Sequence, residues 1–158
     1  MSDFQILKIQ PDDWNTLLEI ATIDQESFGK DGLTPANLSL MARAGRIYAL
    51  REGSIISTEA IVLASFPTGN SFLFSLAVLE NFRHKGHGKK LMKAICEDLA
   101  EEGVKTMELT VAPENQAAIN LYCMHFQFEK IAFIENHFGP GQHRLLLRKT
   151  LYKDEQGK

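Results

Sequence analysis

Leu73–Ile95 reads LFSLAVLENFRHKGHGKKLMKAI, and the order of its parts decides the fold. An apolar run rich in β-branched and aromatic residues has the composition of a strand. A basic turn follows, with glycines at 86 and 88, and then GKKLMKAICEDLAEEG places Leu91, Met92, Ile95, Cys96 and Leu99 on one helical stripe that stops at Gly103. A strand that ends in a glycine-bearing turn and opens a helix suits an anion. The amides of the first helical turn have no partners within the helix and carry the positive end of its dipole. Arg83, Lys85, Lys89 and Lys90 add charge that a diphosphate would feel, and His84 and His87 add hydrogen-bonding groups.

Outward from this unit, the elements alternate in type. PDDWNTLLEIATI begins with Pro11 and two acids and then sets Trp14, Leu17, Leu18 and Ala21 at helical spacing. TPANLSLMARAG supplies a Thr34 cap, Pro35 at the first helical position and Gly45 as a stop, with ESFGKDGL as a glycine-broken loop before it. RIYAL, a turn at REGS, the long run IISTEAIVLASF, a turn at PTGN and SFLFSLAVL form an antiparallel meander. After the central helix come a strand TMELTV, a helix NQAAINLYCM, and a last pair, FEKIAFIEN and HRLLLRKTL, joined by HFGPGQ. The predicted order is β-α-α-β-β-β-α-β-α-β-β. Its strand-helix-strand passage implies a local parallel pair with a right-handed crossover, beside hairpins elsewhere.

The bulk properties limit what such a fold does. A chain of 158 residues is about one domain long and buries a core without staples. We expect one domain over 1–152 and a polar tail over 153–158. A formal net charge of -3 argues against non-specific nucleic-acid binding, which rests on a net basic surface. The longest apolar runs, such as AIVLASF, fall far short of the roughly 20 residues that span a bilayer, and MSDFQILKIQ lacks the pattern of a secretion signal. Cys96 and Cys123 are too few for a disulfide framework or a CxxC site. The expected setting is cytoplasmic. His84 and His87 have no nearby acid or thiol in zinc register, so no metal is expected.

Three phosphate-binding patterns compete for the glycine turn. A Walker loop needs a glycine where Arg83 stands and Ser or Thr where Lys90 stands. A dinucleotide fingerprint needs a third glycine at Leu91. Both fail on these residues. Arg83-x-x-Gly86-x-Gly88 resembles the Q/R-x-x-G-x-G/A signature with which the GNAT superfamily of N-acetyltransferases holds the pyrophosphate of acetyl-CoA. Leu76, Ala77 and Val78 stand in place of that family's apolar triplet before the loop. VAPENQAAINLYCMHFQFEKI resembles its second signature, N-x-x-A-x-x-L-Y followed by G-F, through Asn115, Ala118, Leu121 and Tyr122; Gln127 replaces the glycine, which suggests a slightly different turn. The ending ENHFGPGQHRLLLRKTL looks like the closing hairpin of bacterial members, and IDQESF is similar to their acceptor-side loop.

The resemblance implies a GNAT-like mixed, mostly antiparallel central sheet with a splayed parallel strand pair and helices on both faces. It implies an acetyl-CoA-dependent transfer of an acetyl group to a primary amine, by direct attack in a ternary complex. Cofactor contacts then fall to Leu76, Ala77, Val78, Arg83, His84, Lys85, Gly86, His87, Gly88, Lys89, Asn115, Ala118 and Tyr122. The backbone N–H of Val78 would polarise the thioester carbonyl, and Tyr122 would protonate the leaving thiolate. Members that acetylate the N-terminal alanine of a ribosomal protein are the nearest in character, but they carry a glutamate five positions before the motif asparagine, where this chain has Thr110. That departure leaves the general base among Glu108, ranked first because it lies on the same strand face, Glu59 within an apolar strand, His137 in the last hairpin, and water.

The acceptor is not legible in the sequence. Asp24, Glu26, Asp31, Glu135 and His137 suit a cationic amine: a peptide α-amine, a lysine, a polyamine or a small metabolite. Acyl groups other than acetyl stay open, as does the choice between monomer and homodimer; the apolar HRLLLRKTL permits pairing. A module that binds acyl-CoA as a sensor or scaffold without turnover is the alternative.

Overall fold

The computed structural model describes residues 3–65 and 68–151. In chain order the elements are β1 (Phe4–Lys8), α1 (Trp14–Phe28), α2 (Pro35–Ala44), β2 (Gly45–Glu52), β3 (Ile55–Ser65), β4 (Asn70–Val78), α3 (His87–Glu101), β5 (Thr106–Val111), α4 (Gln116–Asn120), β6 (Glu129–Ile134) and β7 (Arg144–Thr150). Short 3-10 turns lie at Gly29–Asp31 and Glu80–Phe82, and a π turn at Leu121–His125 follows α4 directly. The order matches the one read from the pattern of hydrophobicity. Seven strands form one sheet, β1-β2-β3-β4-β5-β7-β6, antiparallel at β1/β2, β2/β3, β5/β7 and β6/β7 and parallel at β4/β5. The tail over 153–158 and Tyr152 lie outside the described residues.

The described residues fall into two compact units, 3–64 with 73–99, and 65 and 68–72 with 100–151. In the first, Asp13 caps α1 by accepting from the Thr16 amide (3.3 Å) and hydroxyl (2.7 Å). The helix runs to Phe28, through part of the expected loop, and stops where Gly29 takes φ 59°. The buried stripe also differs from the expected one. Leu17, Ile20, Ala21, Ile23 and Asp24 face inward, while Trp14 and Leu18, expected on that stripe, stay 50% and 55% exposed. At α2 the Thr34 hydroxyl accepts from the Asn37 amide (3.1 Å), and the Asn37 carbonyl oxygen accepts from Thr34 in return, with Pro35 in the first turn.

Gly45 ends α2 as expected, but not as a left-handed cap, since its φ is −158°. A Cβ there would collide with the Val62 carbonyl oxygen, so the glycine lets β2 and β3 approach. The core of this unit gathers Ile9, Leu17, Ile20, Leu38, Ile47, Ile56, Ile61 and Ala77. On α3 the buried stripe is His87, Leu91, Met92, Ile95 and Leu99, with Cys96 half-buried.

In the second unit β5 pairs with β7 from Thr106↔Thr150 to Val111↔Leu145, and the parallel register with β4 covers Asn70↔Thr106, Ser71↔Met107 and Phe72↔Glu108. β4 itself continues to Val78. Alternation along β5 buries Met107, Leu109 and Val111 and turns Glu108 and Thr110 to the other face. The helix expected over NQAAINLYCM is α-helical only as far as Asn120. Gln127 sits at φ 61°, the left-handed conformation that favours glycine, so the glycine-type turn is kept with a side chain on it.

Candidate functional site

The site residues of the first unit lie along the exit of β4. Ala77 is buried at 4% exposure, and Leu76 and Val78 are half-buried on the opposite face. The chain then turns tightly: the Phe82 amide donates to the Leu79 carbonyl (2.8 Å) and the Arg83 amide to the Glu80 carbonyl (3.2 Å). Arg83 is exposed and folds back, its Nε donating to the Val78 carbonyl at 2.9 Å. His84 holds φ 63° and Gly86 φ 84°, so two left-handed residues bend the loop before α3 begins. The first is a strained position for histidine.

The two glycines have different grounds. Gly86 meets the left-handed requirement, with open space where a Cβ would point. A Cβ at Gly88 would make only an ordinary 3.6 Å contact with Val78 Cγ2, so packing within the chain does not demand glycine there. The absent side chain leaves backbone accessible to something outside the chain. Lys85 and Lys89 are exposed, with Lys85 Nζ 5.8 Å from the Phe82 ring centre, and Lys90 Nζ lies 4.1 Å over the Phe4 ring. The amide of Lys90 bonds to the Gly86 carbonyl (3.0 Å), which starts the helical ladder.

His87 stands apart from these charges. Its imidazole is buried at 4% exposure, with Nδ1 2.7 Å from Ser57 Oγ and Nε2 3.5 Å from Glu52 Oε2, between the Phe4 and Phe82 rings. It is therefore the backbone of His87, and not its ring, that the loop has to offer an anion. Ser, His and Glu in line resemble a nucleophilic triad only in composition, because Ser57 is wholly buried and faces Nδ1 in place of Nε2.

Glu59, considered as a base, is also fully buried. Its Oε1 accepts from the Ser75 hydroxyl (2.9 Å), which also reaches Asp24 Oδ1 (3.2 Å), while Asp24 Oδ2 accepts from the Leu33 amide (2.6 Å). Glu59 Oε2 has no hydrogen-bond partner among the described residues. Burial, then the neighbouring Asp24 carboxyl, push the Glu59 acid well above the usual carboxylate range, against a smaller pull from Ser75. Ser57 and Ser75 were not singled out from the sequence, and Asp24, expected among the acids facing a cationic amine, is instead buried at 2% exposure in this cluster. The signal available was their polarity within otherwise apolar strand and helix stripes, which obliges them to find partners.

In the second unit, Asn115 caps α4 by accepting from the Ala118 amide at 3.1 Å, and its side chain is exposed. Tyr122 is the second residue of the π turn, half-buried, with its ring edge-on to Phe128 at 5.6 Å and its carbonyl accepting from the Phe128 amide (2.9 Å). Such turns are frequent at functional sites. Burial alone pushes the Tyr122 phenol up to about 12. Glu108 Oε2 accepts from both Nε (3.1 Å) and Nη2 (2.8 Å) of Arg148 across the β5/β7 pair, which leaves Oε1 without a hydrogen bond among the described residues. His137, in the β6–β7 connection, is exposed and packs edge-on against Phe138 at 4.5 Å. Among the described residues no group of three or more His, Cys, Asp or Glu side chains is placed to hold a metal, and no helix is long and apolar enough to cross a membrane.

A mixed sheet with one parallel pair, and a glycine turn opening the helix after its fourth strand, define a class. Residues 9–126 match the Acetyltransferase (GNAT) family, and the chain belongs to it. Among particular proteins, it is 33% identical over 95 residues to the [ribosomal protein bS18]-alanine N-acetyltransferase of Salmonella typhimurium, a stretch covering 60% of this chain and 56% of that relative. The aligned stretch thus spans little more than half of the relative's length. The fold is similar to that of the ribosomal-protein-S18-alanine N-acetyltransferase of Escherichia coli, with a TM-score of 0.79 at 17% identity over 99% of both chains. It is also similar to yncA of Salmonella typhimurium, solved with its cofactor acetyl-CoA, with a TM-score of 0.74 at 16% identity over 98% of both chains.

Proposed function

We propose that this chain transfers an acetyl group from acetyl-CoA to a primary amine by direct attack of the amine on the thioester. The observation that carries the reading is the Arg83–Gly88 turn, where Gly88 leaves backbone open that no packing within the chain requires to be open. Exposed Arg83, Lys85 and Lys89 surround amides at the start of α3, a setting for a diphosphate. Leu76, Ala77 and Val78 would meet the pantetheine arm through their backbone. The ending of the parallel register at Phe72, well before Val78, supports that assignment. Val78 N–H is our candidate for polarising the carbonyl, and Asn115 and Ala118, from the family's second signature, are further candidate contacts to the cofactor.

Each reacting proton needs a holder. A phenol raised to about 12 stays protonated at every working pH, so Tyr122 is a hydrogen-bond donor for the departing sulfur. Full transfer to a thiolate of ordinary basicity, pKa ~8.5, runs uphill from such a phenol, so it must be coupled to loss of the proton from the attacking amine. Glu108, through Oε1, is the candidate acceptor for that proton; Glu59 is fully buried and cannot meet an amine from solvent. The acceptor to test first is an N-terminal α-amine beginning with alanine, on the strength of the two similar alanine N-acetyltransferases, with Thr110 as the point of difference.

Calorimetric titration with CoA, followed by thiol release from acetyl-CoA with a panel of peptide α-amines, lysine, polyamines and small amines, tests the reading. Binding in the micromolar range and turnover on one amine class are expected. CoA binding without turnover on any amine would favour a sensor or scaffold and overturn the enzymatic reading; absence of CoA binding would overturn the assignment of the loop.

A further inference from the structure

We propose that Ser57 is the positioning residue of the diphosphate loop, tying the loop's two ends to one point of β3: its carbonyl holds the entry at Leu79 and its hydroxyl holds the exit at His87. The inference rests on the reading of Arg83–Gly88 as that loop.

The local register explains how one residue reaches both ends. Leu50 pairs with Thr58 and Arg51 pairs with Ile56, so Ser57 is the extra residue of a bulge in β3, without an opposite number on β2. A bulge re-aims both the side chain and the carbonyl that the regular ladder would have used. Here the Ser57 carbonyl accepts from the Leu79 amide at 2.8 Å, immediately after β4 ends, and Oγ lies 2.7 Å from His87 Nδ1, where α3 begins. The hydroxyl is also 3.2 Å from Thr58 Oγ1, which can itself donate, and 3.5 Å from the Leu50 carbonyl, at the limit of a hydrogen bond, so its proton goes to the nearer histidine. Glu52 Oε2 beside Nε2 selects the Nε2–H tautomer and leaves Nδ1 to accept from Ser57.

Between the two ties run the 3-10 turn and the left-handed His84 and Gly86, which must be held in one arrangement for the amides at 86–89 to converge. The exposed basic side chains supply attraction but no direction. The buried ring of His87, fixed by Ser57 and flanked by Phe4 and Phe82, supplies direction, because it sets the orientation of the peptide groups on either side of it. Preorganised donors lower the ordering cost of binding.

The test compares Ser57→Ala, His87→Phe and the double variant in the full chain, all below their melting temperatures. Initial rates are measured with acetyl-CoA and with S-acetylpantetheine, which has no diphosphate, and CoA affinity by titration. Ser57→Ala keeps the carbonyl tie and loses the hydroxyl tie. We expect its CoA Kd and acetyl-CoA KM to rise about 5–20-fold, with kcat within about twofold and the S-acetylpantetheine kcat/KM unchanged. The double variant should lose no more than the worse single variant, as two members of one contact do. Ser57→Thr, which restores a hydroxyl, should recover most of the CoA affinity. Wild-type-like CoA affinity in Ser57→Ala overturns the inference, and so does an equal loss on S-acetylpantetheine, which would mark general damage. Failure of the wild-type protein to bind CoA overturns the loop assignment itself and takes this inference with it.

Discussion

Tyr122 shows how far a single residue can be read from its letters. The motif around it names the position, and the phenol's ordinary pKa of ~10 already suits a donor to sulfur. The π turn and its burial, which raise the phenol to about 12, depend on packing against Phe128 and are silent in the sequence. Replacement by Phe keeps the ring contact and removes the donor. Turnover should therefore fall about 100-fold, within the usual range for a general acid, while the Kd for CoA changes less than about threefold. A parallel loss of binding and turnover would refute the donor role. Gln127 marks the opposite case. Replacing the family's glycine suggested a different turn, yet the backbone keeps φ 61°, because the Phe128–Tyr122 bond and the β6 register over-determine it.

Among the elements, boundaries moved where a local signal met a tertiary one. α1 outlasts its expected end because nothing in ESF breaks a helix, and the face it packs inward carries Ile20 and Asp24 while Trp14 and Leu18 stay exposed. Gly45 looked like a helix stop by composition. Its reason is the β2/β3 approach, where a methyl group would strike the Val62 carbonyl. Gly45→Ala should accordingly cost about 3 kcal/mol, the upper end of the overpacking range, read as a drop in the urea midpoint at unchanged slope. Gly53→Ala, at φ 62° with open space around it, should cost less, since it meets only the left-handed penalty of about 1–2 kcal/mol. Equal losses at the two glycines would refute the close-approach account.

For the whole molecule, buried Glu59 and part-exposed Asp98 act on the pH range of stability from opposite sides. Glu59 is raised in the folded state above the usual glutamate value of 4.5, so its contribution is full below that value and is lost as pH climbs through the folded pKa. Burial by itself would raise Asp98, but bonds from Lys8 and Tyr48 and the charges of Lys8 and Arg46 outweigh it and hold the acid below 3.8. Stability from Asp98 is present above that value and is lost as pH falls through the lowered one. Glu59→Gln copies the neutral, protonated acid and keeps an acceptor for the Ser75 hydroxyl. Its melting temperature should match the wild type below about pH 4.5 and exceed it increasingly as pH climbs from there to the folded pKa; identical pH slopes would sink the assignment of that limb to Glu59.

The sequence by itself determined the element order, the parallel β4/β5 unit and the glycine turn, since these follow from periodicities of two and 3.6 residues and from glycine's backbone freedom, all local properties. Only the tertiary structure decided what the polar residues within those elements do. The letters HKGHGKK placed His87 among the charges, but a bulge in β3 takes its ring inward to Ser57, and Arg148 claims one oxygen of Glu108 across the β5/β7 pair. Such partners are long-range in sequence, and a buried donor or acceptor is assigned by whichever group packing brings within about 3 Å.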